Sequence, residues 1–233
     1  AGASAIASLL KTIQISSLNL RSNNLGPKGG AALAEGLKGN STLRVLDLMN
    51  NNIGDKGTSA LAAILKETQI SELELSGNCI GGYYDDDYEF VANTEGIIAL
   101  CEGLKGSAVT SLDIGYNRIG DEGASALAAI LKETMISNLN IGYNEIGGKG
   151  ASALAAILKE TMISNLSLSF NHIGAEGASA LAAVLKETRI STLNLSANDI
   201  GVEGASALAA VVKETQIRHL DLRGNGIGDE GAS

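Results

Sequence analysis

Hydrophobic and polar positions alternate along this chain in a pattern that keeps restarting. In the stretch Gly120 to Gly147, Leu139 and Ile141 alternate with Asn138, Asn140 and Gly142, the two-residue period of a strand with one buried side. The same run, I-S-x-L-x-L-x-x-N-x-I-G, predicts strands near 16–20, 44–48, 71–75, 110–114, 137–141, 164–168, 191–195 and 218–222. After each strand the period changes. Ala151 to Lys159 reads as a helix, with Leu154, Ile157 and Leu158 spaced to share one apolar face and with alanines keeping its girth small. Residues 1–12 read as a helix without a strand of its own, and Gly96–Lys105 as another of the series.

Two polar signatures punctuate every unit. An asparagine recurs just past each strand, at Asn23, Asn51, Asn78, Asn117, Asn144, Asn171, Asn198 and Asn225. Its carboxamide carries two donors and an acceptor, so in a stack of coils it can bridge its own backbone to the next coil. A G-x-x-G follows, as at Gly174/Gly177 and Gly201/Gly204, suited to a left-handed turn and a close backbone approach. A unit of about 27 residues cannot bury its own apolar face, whereas stacked units can. Strands spaced about 4.8 Å apart and helices needing about 8–10 Å force the stack to curve with the strands inside.

The run L-x-L-x-x-N-x-I-G-x-x-G-A-x-A-L resembles the leucine-rich repeat, in particular its ribonuclease-inhibitor-like class, which also occurs in NOD-like receptors. The resemblance spans essentially the whole chain. It implies an α/β solenoid, a right-handed horseshoe with parallel strands on the concave face and helices on the convex face. It also implies a non-catalytic scaffold that binds protein partners on the concave side. We therefore expect residues 1–233 to form a single domain of about eight repeats of 27–28 residues, broken at both ends and hence part of a longer protein or able to pair end to end.

Composition narrows the chemistry. A net charge of −9 disfavours nucleic acid and anionic membranes and favours a basic protein ligand. No apolar run is long enough for a membrane span. The two cysteines, Cys79 and Cys101, lack the cysteine-rich caps of extracellular leucine-rich repeats, which by resemblance favours a cytoplasmic setting. No catalytic, cofactor or metal motif stands in the context its chemistry requires. Some Ran GTPase activators resemble this repeat class and supply a loop arginine, so Arg118 keeps GTPase regulation as one alternative. A structural spacer or self-associating array is another.

Two candidate partner-binding surfaces stand out. The first is the interruption between Asn78 and Asn117, where an insertion at about 82–93 breaks the register. It holds Tyr83, Tyr84, Tyr88 and Phe90 beside Asp85, Asp86, Asp87 and Glu89, an acidic aromatic loop at the rim. Its aspartates lack the alternating spacing of a calcium loop. The second is a column formed by the residue before each ladder asparagine, which is aromatic in three consecutive units: Tyr116, Tyr143 and Phe170. Units about 4.8 Å apart would let those rings stack. Asn138, Asn140, Asn165 and Asp113 lie beside them with hydrogen-bonding and acidic groups, and Asp47 and Glu74 add acidity.

Overall fold

Each Leu-x-Leu run becomes a short strand because its leucine is drawn into the core while its neighbours stay at the surface. In β7 (Asn138–Asn140) the pattern is exposed, buried, half-buried. The computed structural model describes residues 2–84, 87 and 89–231. In chain order the elements are α1 (Gly2–Leu10), β1 (Ser17–Asn19), α2 (Gly26–Leu37), β2 (Val45–Asp47), α3 (Gly54–Leu65) and β3 (Glu72–Glu74). A hairpin follows, β4 (Gly82–Tyr84) and β5 (Phe90–Ala92), then α4 (Glu95–Leu104), β6 (Ser111–Asp113) and α5 (Gly120–Ile130). The remainder is β7, α6 (Gly148–Leu158), β8 (Asn165–Ser167), α7 (Gly174–Leu185), β9 (Thr192–Asn194), α8 (Gly201–Val212), β10 (His219–Asp221) and α9 (Gly228–Gly231).

Eight strands form one parallel sheet in the order β1-β2-β3-β6-β7-β8-β9-β10, so every coil pairs with its sequence neighbours. The register never slips: Leu18, Leu46, Leu73, Leu112, Leu139, Leu166, Leu193 and Leu220 lie in one row across it. Strands and helices alternate as an α/β solenoid, with one aliphatic core running between the two layers. The strands are shorter than the sequence pattern suggests, because the backbone turns left-handed soon after each. Backbone hydrogen bonds between coils nevertheless continue past them, as from Leu168 N–H to the Asn194 carbonyl.

The helix seam differs from the expected stripe. In α6 the fully buried side is Gly150, Ala151, Leu154, Ala155 and Leu158, and Ile157 is only half-buried. Alanines form the seam because neighbouring helices approach closely. Where α4 meets α3 the approach is closer still: a β-carbon on Gly103 would strike the Ala62 backbone. The helices also end on a device that the hydrophobic pattern conceals. Thr68, Thr134, Thr161, Thr188 and Thr215 each turn a hydroxyl back to the carbonyl three residues earlier, at 2.7–2.9 Å. Together with the threonine's own N–H, the hydroxyl satisfies a carbonyl of the last turn, where the helix ladder runs out.

Candidate functional site

The sheet's carboxyl edge is built on the asparagine row. Asn171 is typical. Its Oδ1 accepts from the backbone N–H groups of Asn144 and Ile146, at 2.9 and 3.0 Å. Its amide donates to the carbonyls of Ile141 in the preceding coil and Leu168 in its own. Each asparagine from Asn51 onward thus reaches back one coil and is buried, whereas Asn23, beside the first strand, is exposed and donates to Leu20 and Arg21 of its own coil. The row passes the insertion unbroken: Asn78 N–H donates to Asn117 Oδ1 at 2.8 Å although the two lie 39 residues apart.

Holding the asparagine inward twists the backbone on either side of it. All eight residues that precede a ladder asparagine have positive φ: Ser22, Asn50, Gly77, Tyr116, Tyr143, Phe170, Ala197 and Gly224. Bulky side chains are uncommon in that region, yet Tyr116, Tyr143 and Phe170 adopt φ of 55°, 56° and 53°. Their rings stack, Tyr116 on Tyr143 with centroids 3.8 Å apart and Tyr143 on Phe170 at 4.0 Å, nearly parallel in both pairs. Tyr116 is 54% exposed and Phe170 47%. Hydrogen bonding with Tyr143, helped by partial desolvation, pushes the Tyr116 phenol up to about 12. The column lies beyond the strands, on the turn at the rim, rather than within the sheet.

The strand face beside it is polar and acidic. Asp47, Glu74 and Asp113 are adjacent in register on β2, β3 and β6. Burial, then the carboxylates of Asp113, Asp47 and Glu72, push the Glu74 carboxyl up to about 7. Asp113 accepts from the Asn140 amide at 2.9 Å and from Gly115 N–H at 2.8 Å. Asn138 donates to the Ser111 hydroxyl, and Asn165, exposed, sits opposite it on β8.

The insertion is an antiparallel hairpin, Tyr83 opposite Val91 and Tyr84 opposite Phe90. Tyr83 and Asp87 are exposed. Asp85, Asp86 and Tyr88 lie outside the described residues. The hairpin's returning strand is tied to the solenoid at two points. Asn93 donates to the Asp55 carboxylate at 3.2 Å. The Arg118 guanidinium lies over the Phe90 ring, 4.9 Å from its centroid, and pairs with Glu145 at 3.3 Å. Tyr116, Arg118, Tyr143, Glu145, Phe170 and His172 together line a shallow recess of about 290 Å³. Arg118 therefore brings the two surfaces singled out in the sequence, the insertion and the aromatic column, to one rim.

Sequence reasoning missed two features here. One is the left-handed backbone beneath the column, hinted at by the glycines at positions 77 and 224. The other is Asp121, whose carboxylate accepts from the N–H groups of Gly147 and Gly150 at 2.7 and 2.8 Å, clamping the start of α6. Gly147 is accordingly extended rather than left-handed. Lysines and glutamates at the helix ends join across coils: Lys159 with Glu187 at 3.5 Å and Lys186 with Glu214 at 2.9 Å. Cys101 is buried and Cys79 exposed, and neither is in a disulfide. Among the described residues no group of side chains is arranged to hold a metal ion, and no helix is long and apolar enough to cross a membrane.

Comparison with known proteins agrees with this geometry. The structure is similar to the leucine-rich repeat-containing protein LegL7 from Legionella pneumophila, with a TM-score of 0.60 and 21% identity, over 95% of this chain and 70% of that one. It is also similar to actin-binding site 2 of leiomodin-1, with a TM-score of 0.52 and 19% identity, over 66% of this chain and 86% of that one. Both likenesses concern the fold. No match emerged among curated proteins. The leucine-rich repeat family model matches residues 15–34, 39–62, 108–128, 134–155, 161–182, 190–209 and 215–233, and skips the coil that carries the hairpin. With more than half of its length matched in seven segments, the chain belongs to the leucine-rich repeat family, in general a protein-binding fold.

Proposed function

We propose that this chain is a non-catalytic scaffold that holds a protein partner along the strand face and the rim where the aromatic stack and the inserted hairpin meet. The observation that carries the reading is the stack itself. Two exposed rings, Tyr116 and Phe170, and a half-buried one between them, Tyr143, stand on backbone that strains bulky residues by about 1–3 kcal/mol each. A structural role alone gives little reason to keep them there, since Ala197 holds the same conformation with φ 52°. Exposed aromatics of this kind serve as anchors in protein interfaces. The acidic strand face and the net charge of −9 favour a basic partner over nucleic acid or anionic membrane. The single unbroken sheet supports reading the whole chain as one solenoid, and the α-helix in each 27-residue coil supports the ribonuclease-inhibitor-like class. The free thiols fit a cytoplasmic setting. Leiomodin-1's matching segment is an actin-binding site, so the fold serves protein binding in that protein.

The test is the triple substitution Tyr116→Ala, Tyr143→Ala and Phe170→Ala. Quantitative capture of partners from lysate should fall by about tenfold or more, in line with the loss of interface anchors. Melting should fall by no more than the two lost stacking contacts, about 0.5–1.5 kcal/mol each, since alanine already holds this backbone at position 197. Undiminished capture would remove the aromatic column from the binding surface and leave the spacer or self-associating array as the better account.

A further inference from the structure

We propose that the outer face of Tyr116 seats a planar guanidinium: an arginine of the partner stacks there, over Gly77, with its charge set against Asp47, Glu74 and Asp113. This rests on the reading of the rim as a protein-binding surface and names the chemistry that one part of it selects.

The stack is closed on one side and open on the other. Tyr143 is covered on both faces, by Tyr116 and by Phe170. Tyr116 has one face covered; the other looks toward the preceding coil, whose residue in the same column is Gly77. Gly77 brings no side chain of its own to that step; the Asn50 carboxamide leans over its base, and Tyr116 stays 54% exposed above it. The space it leaves is one coil deep, about 4.8 Å, comparable to the separation the rings keep among themselves. A planar group can continue the stack there, where a tetrahedral ammonium would not lie flat. The Asn50 carboxamide oxygen leans over Gly77, close enough that a β-carbon on the glycine would run into it, and it offers an acceptor to a bound N–H group.

The adjoining strand face supplies charge of the opposite sign. Asp47, Glu74 and Asp113 stand side by side, each three residues before its coil's member of the column: Asn50, Gly77 and Tyr116. Among the described residues no lysine or arginine forms an ion pair with any of them; the pairs formed lie on the helix side, on the outer rim and at Asp221. Burial first, and then repulsion from the neighbouring carboxylates, pushes the Glu74 carboxyl up to about 7. A cation docked between the row and the ring would remove that repulsion. Guanidinium suits both halves of the site, since it is weakly hydrated, stacks on aromatic faces and donates in a fork to carboxylates. The far end of the stack lacks these features. Phe170 faces Ala197, whose β-carbon occupies the step, and the strand there presents Thr192 and Asn194.

The experiment is an NMR titration of the tyrosine ring resonances with end-blocked Gly-Arg-Gly and Gly-Lys-Gly peptides. The arginine peptide should shift Tyr116 with an affinity on the order of millimolar, and the lysine peptide should bind about five- to tenfold more weakly, the range a stacked cation provides. Tyr116→Ala should abolish the response of the remaining rings, and Glu74→Gln with Asp113→Asn should weaken it by about tenfold. Glu187→Gln, which removes a carboxylate on the helix side, should leave it unchanged. Equal response to both peptides, no response, or equal loss in Glu187→Gln would overturn the proposal. If the arginine peptide fails while the triple alanine variant still loses its partners, the rim stands as the binding surface and the arginine seat falls. If the triple variant loses nothing while the arginine peptide binds as described, the seat stands and the rim reading falls.

Discussion

The coils from Gly120 onward repeat almost residue for residue, whereas the coil between Asn78 and Asn117 spends 39 residues where its neighbours spend 27. The inner seam is nonetheless the same in both regions. Asn117 accepts from Asn78 and Ile80 across the long coil much as Asn171 accepts from Asn144 and Ile146 across a regular one. Leu73 pairs in register with Leu112 as Leu139 does with Leu166. All the variation has been pushed outward, into a hairpin that leaves at the end of one coil and returns before the next helix. The contrast shows where this fold tolerates novelty. A coil is defined by its asparagine and its buried leucines, and whatever happens between the turn and the helix is free so long as both ends return.

That comparison can be broken at the seam. Asn117→Ala and Asn171→Ala each remove a buried carboxamide that makes five hydrogen bonds to backbone. Each should cost about 3 kcal/mol in urea unfolding, at the upper end of the penalty for stranding buried partners. If the seam is indifferent to the insertion, the two costs agree within about 0.5 kcal/mol. A much smaller cost at Asn117 would mean that the long coil already loosens the joint.

A smaller effect distinguishes the regions by charge. The carboxylate row lies in the earlier coils and ends at Asn140. Glu74 has a folded-state value of about 7, above its ordinary 4.5. The native state therefore holds a proton that the unfolded chain has released, and stability falls as pH rises through the window from about 4.5 to 7. Glu74→Gln should flatten that slope and stabilise the protein at pH 8 by roughly 1 kcal/mol, after allowance for screening at a half-exposed site. Thermal melting at pH 5 and pH 8 checks it, and an unchanged slope would remove Glu74 as its source. The smallest effect belongs to the later coils. Lys159→Ala breaks an exposed pair between successive helices and should cost no more than about 0.5 kcal/mol, vanishing in high salt.

The repeat, the sheet and the asparagine row were legible in the sequence because they are local patterns copied many times. The seam of α6 was less so. Counting hydrophobicity favoured Ile157, but helix spacing favoured the smaller Ala151 and Ala155. The threonine caps left a visible trace in the recurring Lys-Glu-Thr and needed only the question of where the last carbonyls bond. The candidate site was half legible. Tyr116, Tyr143 and Phe170 could be lined up from spacing alone. Their left-handed backbone could not, since nothing in a tyrosine announces it, and neither could the meeting of Arg118 with Phe90, which depends on how a hairpin of unrelated sequence folds back.

The column of positive φ has a further consequence. Serine, asparagine, glycine, tyrosine, phenylalanine and alanine all occupy it in this one molecule, on nearly the same backbone angles. The coil keeps its course whichever of these side chains the rim displays. The turn thus works as a row of interchangeable keys at a fixed pitch, and a lineage or a protein engineer could rewrite what the surface recognises by resetting single letters there.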